Sequence, residues 1–317
     1  MFGLKPDVVP EIPITRYALE DYEGGVAKWC PGCGDHAMLN SVYKLCREKQ
    51  LDPAKTVFVS GIGCSSRFPH YMNTYGFHGL HGRAFPVACG IKFRRPDLHV
   101  FVITGDGDCC AIGTGHWIHA IRYNMDMTVL LFNNQIYGLT KKQVSPTSRK
   151  GTVSNTTPRG SVLEPISPVQ TTLGVSNVSF VAQTADWNPA HMYETVKAAY
   201  EHKGFSFVHI LQRCPVFMPQ LVEELTGNRD ALCLLDHENG IKMPEELAKS
   251  FKHIKEHDPS DLNAARQLAD DREYIYLGLL YQNKDVERYD EYGAHNLGFT
   301  AEEKEAALNA ELDKFAV

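Results

Sequence analysis

Residues 99–138, HVFVITGDGDCCAIGTGHWIHAIRYNMDMTVLLFNNQIYG, read as one strand, turn, helix, strand unit. Residues 99–104 are apolar and β-branched enough for a buried parallel strand, and Gly105-Asp106-Gly107-Asp108 then breaks it with residues that permit a tight turn. Residues 113–124 are expected to form the crossover helix and residues 127–132 the next buried strand. A right-handed crossover makes the two strands parallel, so Asp106 and Asn134 leave the sheet at one edge and are able to share a ligand.

Outward from this unit the same alternation continues. A helix is expected over 36–49, with Asp35 as its N-cap and an apolar face carrying Met38, Leu39, Val42, Tyr43, Leu45 and Cys46. Strands over 56–60, 178–182 and 205–211, with helices over 84–94 and 188–202, complete a doubly wound, mostly parallel α/β sheet. Residues 140–172 are polar and too long for a passive connection, which suits a lid or binding loop. The chain then divides into an N-terminal arm at 1–28, a ligand-binding domain at 29–218 and a C-terminal extension at 219–317. That extension reads as charged helical and irregular segments, including DDREYIYLGLLYQNKD, that wrap a partner or a second copy. No internal repeat is visible.

At 317 residues, 43% hydrophobic and 22% charged, the chain is able to bury a sizeable core. A net charge of −6 without long Lys or Arg runs argues against nucleic-acid or anionic-membrane partners. No apolar stretch approaches the ~20 residues of a spanning helix, and the opening MFGLKPDVVPEIPITRY carries acids and prolines where a signal peptide needs an apolar run. The expectation is a cytoplasmic protein. Nine cysteines in a reducing compartment call for metal binding or simple burial. Cys46, Cys89, Cys109, Cys110 and Cys233 sit among apolar or small residues and are assigned to burial. Cys30 and Cys33 form a C-x-x-C pair; Cys64 follows the strand at 56–60 and Cys214 the strand at 205–211, at the edge that carries Asp106 and Asn134. These four could form one thiolate site, suited to Zn²⁺ or to a [4Fe–4S] cluster, and spacing does not separate the two.

The GDG turn with Asn134 and Ile136 resembles the magnesium and diphosphate motif of thiamine-diphosphate enzymes. Mg²⁺ takes about six oxygens and is usually shared between carboxylate and phosphate; the Asp106 carboxylate, the Asn134 amide oxygen and the Ile136 carbonyl supply three. A cluster beside such a cofactor would accept single electrons after a decarboxylation, whereas zinc would only add fold energy. Together with CPGC (30–33), GIGCSSRFPHY (61–71), HGRA (81–84), GDGD (105–108), NNQIYGLT (133–140) and RCP (213–215), this makes the chain similar, over roughly residues 29–218, to the β subunits of the 2-oxoacid:ferredoxin oxidoreductases. It is most similar to those acting on 2-oxoglutarate.

The resemblance implies that Cys30, Cys33, Cys64 and Cys214 hold a [4Fe–4S] cluster. It also implies that Asp106, Asn134 and Ile136 hold Mg²⁺, with Gly105, Gly107 and Asp108 completing the turn that binds thiamine diphosphate. Arg67, three residues after a cluster ligand, is placed to grip the distal carboxylate of 2-oxoglutarate, for which a guanidinium fork is suited, with a structural ion pair as the plainer role. Leu139 is a second substrate-tuning position. His81, like His78, is either a turn histidine or a cavity wall that handles protons. Lys141 and Lys142 fit a solvated loop as well as a phosphate contact. The implied reaction is decarboxylation of 2-oxoglutarate with CoA to succinyl-CoA and CO₂, reducing ferredoxin, or its reversal. Without ferredoxin-like cysteine runs of its own, the chain needs an external ferredoxin at close range. One diphosphate motif and no second strand-helix unit imply that the pyrimidine-binding domain lies on an α subunit, in an (αβ)₂ assembly. The rivals are a pyruvate or branched-chain 2-oxoacid enzyme, a non-redox thiamine-diphosphate decarboxylase with structural zinc, and a non-catalytic assembly subunit.

Overall fold

In the computed structural model, which describes residues 16–249, 251–294 and 299–315, the central unit forms as its sequence dictates. The chain contributes β1 (Thr56–Ser60), β2 (Tyr75–His78), β3 (His99–Gly105), β4 (Met127–Asn133), β5 (Phe180–Ala185), β6 (Phe205–Leu211), β7 (Leu232–Asp236), β8 (His253–Glu256) and β9 (Ile275–Gln282) to one sheet of order β2-β1-β3-β4-β6-β5-β9-β7-β8. Neighbours are parallel except β5 and β9. Gly105 lies opposite Phe132, so the turns after β3 and β4 open side by side.

The strands alternate between two apolar faces. Phe58, Phe101, Ile103, Leu130 and Phe132 pack beneath α1 (Asp35–Lys49), while Val57, Val59, Val102, Val129 and Leu131 pack beneath α2 (Ala84–Arg94). After the short α3 (Asp106–Cys110), α4 (Thr114–Tyr123) and α5 (Pro168–Leu173) join the α2 side, and α6 (Pro189–Glu201) joins α1. Helices on both faces bury the central parallel strands, which is why β1, β3, β4 and β6 are continuous buried runs. The chain leaves β1 toward β2 on one side and resumes at β3 on the other. This reversal opens a crevice at the carboxyl ends of the strands, where such sheets bind ligands.

Several expectations need correction. The GDGD segment, read as a turn, is a full helical turn (α3) capped by Gly105. Asp35 is not an N-cap: Gly34 holds that position and Asp35 is buried in the first turn. The edge strand β2 was not anticipated, because all four of its residues are exposed and carry no buried alternation. The C-terminal extension is not only helical and irregular. Three of its segments are strands, and β9, taken from within DDREYIYLGLLYQNKD, pairs antiparallel with β5. The charges flanking β9 obscure an eight-residue run that is buried along its middle.

Of the N-terminal arm, residues 1–15 lie outside the described residues. The remainder lies on its own chain: Tyr22 is fully buried, its hydroxyl donates to the Leu51 carbonyl at 2.8 Å, and its carbonyl accepts from the Asn73 N–H at 2.8 Å. Cys46, Cys109, Cys110 and Cys233 are buried as expected, and Cys89 is half-buried. Among the described residues no helix is long and apolar enough to cross a membrane.

Candidate active site

A cavity of about 280 Å³ opens at the sheet reversal, lined by residues that follow β1 (Ile62, Gly63, Cys64, Ser65), β3 (Gly105, Asp106, Gly107, Asp108) and β4 (Asn134, Ile136, Tyr137, Gly138, Leu139). Gly107 is shaped to its neighbour. The Tyr137 hydroxyl donates to the Gly107 carbonyl at 3.1 Å, and a Cβ on Gly107 would lie 2.1 Å from a Tyr137 ring carbon. The Asp106 carboxyl is 2% exposed. Burial pushes it up to about 6, against the hydroxyls of Ser145 and Thr147, which donate to Oδ2 and pull it down. Asn134 Oδ1 accepts from the Ile136 N–H at 3.1 Å. Its neighbour Asn133 lies 2.9 Å from Thr147 Oγ1 and donates to His209 Nε2 at 2.9 Å.

Asp108 also lines the cavity, yet its carboxylate is taken up by the protein. Oδ1 accepts from the backbone N–H groups of Ile62 at 3.0 Å and Gly82 at 2.7 Å, and Oδ2 from the Thr104 hydroxyl at 2.7 Å. It thereby pins the loops after β1 and β2 to the GDGD helix. His81 Nδ1 lies 3.1 Å from the same Oδ1, a contact that raises the imidazole above its ordinary pKa. His81 and Leu139 line the cavity, whereas Arg67 does not. The Arg67 guanidinium donates to the Lys28 carbonyl at 3.4 Å and lies over the Tyr71 ring.

The four cysteines meet beside this cavity. Gly34 N–H donates to the Arg213 carbonyl at 3.2 Å, and Arg213 grips the buried Asp186 through its backbone N–H at 2.7 Å and Nε at 2.6 Å. These bonds hold the Cys30–Cys33 loop against the segment bearing Cys214. Only glycine fits at 34, since a Cβ there would fall 1.5 Å from Asp186 Oδ2. Trp29 Nε1 donates to the Cys64 carbonyl at 2.7 Å and ties in the third strand-end loop. At Gly138, a cavity wall, a Cβ would sit 3.5 Å from Cys64 Sγ and 3.8 Å from Cys214 Sγ.

Burial pushes Cys64 up to about 12 and raises Cys33 and Cys214, and the buried Asp35, itself pushed up to about 7 by desolvation, adds to all three. The N–H groups of Val216 and Phe217 pull Cys214 back, that of Asp35 pulls Cys33 back, and Gln212 Nε2 donates to Cys33 Sγ at 3.2 Å. Thiols so placed bear a charge at low cost only when a cation shares it. Among the described residues no three His, Cys, Asp or Glu groups converge to hold one metal ion.

Sequence reasoning missed Ser145, Thr147 and Gln212, and gave no role at the site to Asn133, quoted only within the NN motif, or to Asp35, read only as an N-cap. Only Gln212, beside the RCP motif, and Asn133, in the NN pair, stood next to a residue already singled out.

Residues 61–210 match the family described as thiamine pyrophosphate enzyme, C-terminal TPP binding domain, and residues 245–295 the one described as the C terminal of the pyruvate ferredoxin oxidoreductase beta subunit. The chain is 50% identical over 190 residues to the 2-oxoglutarate oxidoreductase subunit KorB of Mycobacterium tuberculosis, a match that covers 60% of this chain and 51% of that one. It therefore spans about half the length of that relative. Over 267 residues it is 37% identical to the 2-oxoacid:ferredoxin oxidoreductase subunit beta of a Sulfolobus species, covering 83% of this chain and 84% of that one. A 2-oxoglutarate:ferredoxin oxidoreductase from Magnetococcus marinus, solved with 2-oxoglutarate, coenzyme A and succinyl-CoA bound, superposes with a TM-score of 0.80 at 36% identity, covering 94% of this chain and 97% of that one. Matched at 37% identity over more than four fifths of both chains by the Sulfolobus protein, and superposed over nearly its whole length by the Magnetococcus one, the chain belongs to the β subunits of the 2-oxoacid:ferredoxin oxidoreductases.

Proposed function

We propose that this chain is the thiamine-diphosphate- and cluster-bearing subunit of a 2-oxoglutarate:ferredoxin oxidoreductase, converting 2-oxoglutarate and CoA to succinyl-CoA and CO₂ with reduction of ferredoxin, or running in reverse to fix CO₂. The observation that carries this is Gly138: it forms part of the cavity wall, and a Cβ in its place would lie 3.5 Å from Cys64 Sγ and 3.8 Å from Cys214 Sγ, so an electron acceptor held by those sulfurs would adjoin the cavity. The names of the relatives, and the 2-oxoglutarate, coenzyme A and succinyl-CoA held by the Magnetococcus enzyme, favour this substrate over pyruvate or a branched-chain acid.

Asp106, Asn134 and Ile136 fit Mg²⁺, since a buried carboxyl lacking a cation among the described residues adjoins an amide and a backbone carbonyl on one cavity wall. Cys30, Cys33, Cys64 and Cys214 fit a [4Fe–4S] cluster. When bound, thiamine diphosphate supplies the nucleophilic carbon for decarboxylation, and the cluster supplies a one-electron acceptor. This chain's residues prepare the ground for both. Gly105 and Gly107 let the diphosphate approach the backbone, and Asp108 fixes the loops around it. His81, its Nδ1 held by Asp108, is assigned to moving a proton in the cavity. Arg67 is assigned to the distal carboxylate of the substrate, a role for which the guanidinium would have to leave the Lys28 carbonyl and the Tyr71 ring and turn into the cavity.

The remaining parts of the proposal are an α subunit that brings the pyrimidine-binding domain to an (αβ)₂ assembly, an external ferredoxin, and a cytoplasmic location that keeps nine thiols reduced. The proposed domain limits are 29–218 for the cofactor domain and 219–317 for the extension. Anaerobic assay of the complex with its α subunit, against a panel of 2-oxoacids with a viologen acceptor, tests the function. CoA-dependent reduction with 2-oxoglutarate preferred is expected; a preference for pyruvate, or no dye reduction, overturns it.

A further inference from the structure

Gln212 is a buried amide with an unusual partner. It follows β6 and lies two residues before Cys214. The residue is 3% exposed, and Nε2 donates to Cys33 Sγ at 3.2 Å and to the Arg213 carbonyl at 2.9 Å. Its backbone N–H donates to the Asn133 carbonyl at 3.0 Å, next to Asn134. The residue thus spans the gap between the diphosphate-binding strand end and the cysteine loop. Among the described residues it is the one side-chain amide that donates a hydrogen bond to one of the four sulfurs; the buried Asp35 carboxyl also lies against the Cys33 thiol, and the other donors near them are backbone N–H groups of Asp35, Val216 and Phe217.

We propose that Gln212 is a positioning residue that sets the reduction potential of the iron–sulfur cluster through its N–H bond to Cys33. This rests on the cluster reading given above. Reduction adds negative charge that spreads onto the ligand sulfurs, and a donor aimed at one of them stabilises the reduced form more than the oxidised form. The amide is out of water, so its dipole acts with little screening. A donor supplied by backbone cannot be tuned by substitution, whereas a side chain can, and this one is in the loop that also supplies a ligand. Removing it leaves the ligands in place and makes the cluster harder to reduce. The electron would then leave the cavity less readily and pass on to an acceptor more readily.

The test uses the anaerobically purified complex with its α subunit, prepared with wild-type chain, with Gln212→Met, which keeps length without the N–H, or with Gln212→Glu, which keeps shape but offers oxygens to the sulfur. Iron and acid-labile sulfide are measured first, followed by a potentiometric titration read by electron paramagnetic resonance. The expected result is unchanged iron content with the midpoint shifted to more negative potential in Gln212→Met and further in Gln212→Glu. If only one variant retains its cluster, the midpoint of that variant decides. Unchanged midpoints with full iron overturn the proposal, and so does loss of iron in both variants, which would make Gln212 a residue of assembly alone. Wild-type complex without iron or sulfide would instead overturn the cluster reading itself.

Discussion

Gly107 leaves no room for a side chain, and its neighbour explains why. An added methyl would lie 2.1 Å from the Tyr137 ring, so Gly107→Ala must displace that ring and break its bond to the Gly107 carbonyl. Overpacking of this kind costs about 1–3 kcal/mol. The expected outcome is a lower melting temperature together with loss of thiamine-diphosphate binding by the complex; a variant that binds with unchanged affinity would show the close approach to be idle. Arg67→Ile, if the guanidinium grips a carboxylate, should lower kcat/KM for 2-oxoglutarate by the equivalent of roughly 2–5 kcal/mol and barely affect pyruvate. Equal losses for both acids would make Arg67 a clamp on Lys28 and Tyr71. At this scale the sequence was readable wherever residue type and chain position coincide, as at Asp106 and Asn134. Ser145 and Thr147 were hidden because a hydroxyl in a polar loop looks the same whether it meets water or a buried carboxylate.

The loop after β4 is tied to the sheet through those hydroxyls. The Thr147 hydroxyl donates to Asp106 and lies 2.9 Å from Asn133 Oδ1, and Asn133 in turn bonds His209 on β6. Thr147→Val keeps the shape and removes the hydroxyl; Asp106 keeps the Ser145 hydroxyl and Asn133 the Gln135 N–H, so the loss is that of one buried hydrogen bond, about 0.5–1.5 kcal/mol. Lower thermal stability and faster proteolysis within 140–172 should follow; unaltered cleavage would mean the loop is held elsewhere.

His209 gives this region a pH dependence. Its Nδ1 meets Gln183 Oε1 at 2.6 Å while Nε2 accepts from Asn133, so the neutral ring uses both nitrogens. Burial lowers its pKa to about 4, as it does for His191 and His202. An imidazole lowered from an ordinary value near 6.5 contributes stability that is complete above that value and is lost as pH falls toward about 4. Asp35 and Asp106, raised by burial, act in the opposite sense, so the comparison is made between variants. His209→Gln should lose less stability than the parent between pH 6.5 and 4.5 in denaturant titrations, and parallel curves would show the ring to be uncoupled. Elements were legible where burial makes a run continuous, as in β1 and β6. They were not where an edge strand is exposed, as in β2, or where charged flanks enclose a buried run, as in β9.

At the scale of the whole molecule, the proposal gives this chain one half of a cofactor site. The described sheet carries one diphosphate-type edge, and the thiol site sits beside it. Expressed without an α subunit, the chain should not decarboxylate 2-oxoglutarate, and co-expression should restore turnover; full activity of the homogeneous chain would sink the proposed division of labour. Cys214→Ser should lose iron, sulfide and dye reduction while the fold persists, because Cys214 is remote in sequence from the other ligands and outside the β6 core. The nine-stranded sheet was only partly foreseeable, since the last three strands join it through β9 and β5, a pairing that no local pattern announces.

The most direct measurement is electron paramagnetic resonance on the anaerobic, oxidised complex after adding 2-oxoglutarate without any external reductant. A reduced [4Fe–4S] signal that appears with 2-oxoglutarate, is weak with pyruvate and is absent in Cys214→Ser is the predicted result. A complex that releases CO₂ from 2-oxoglutarate while its spectrum shows no cluster reduction would contradict it.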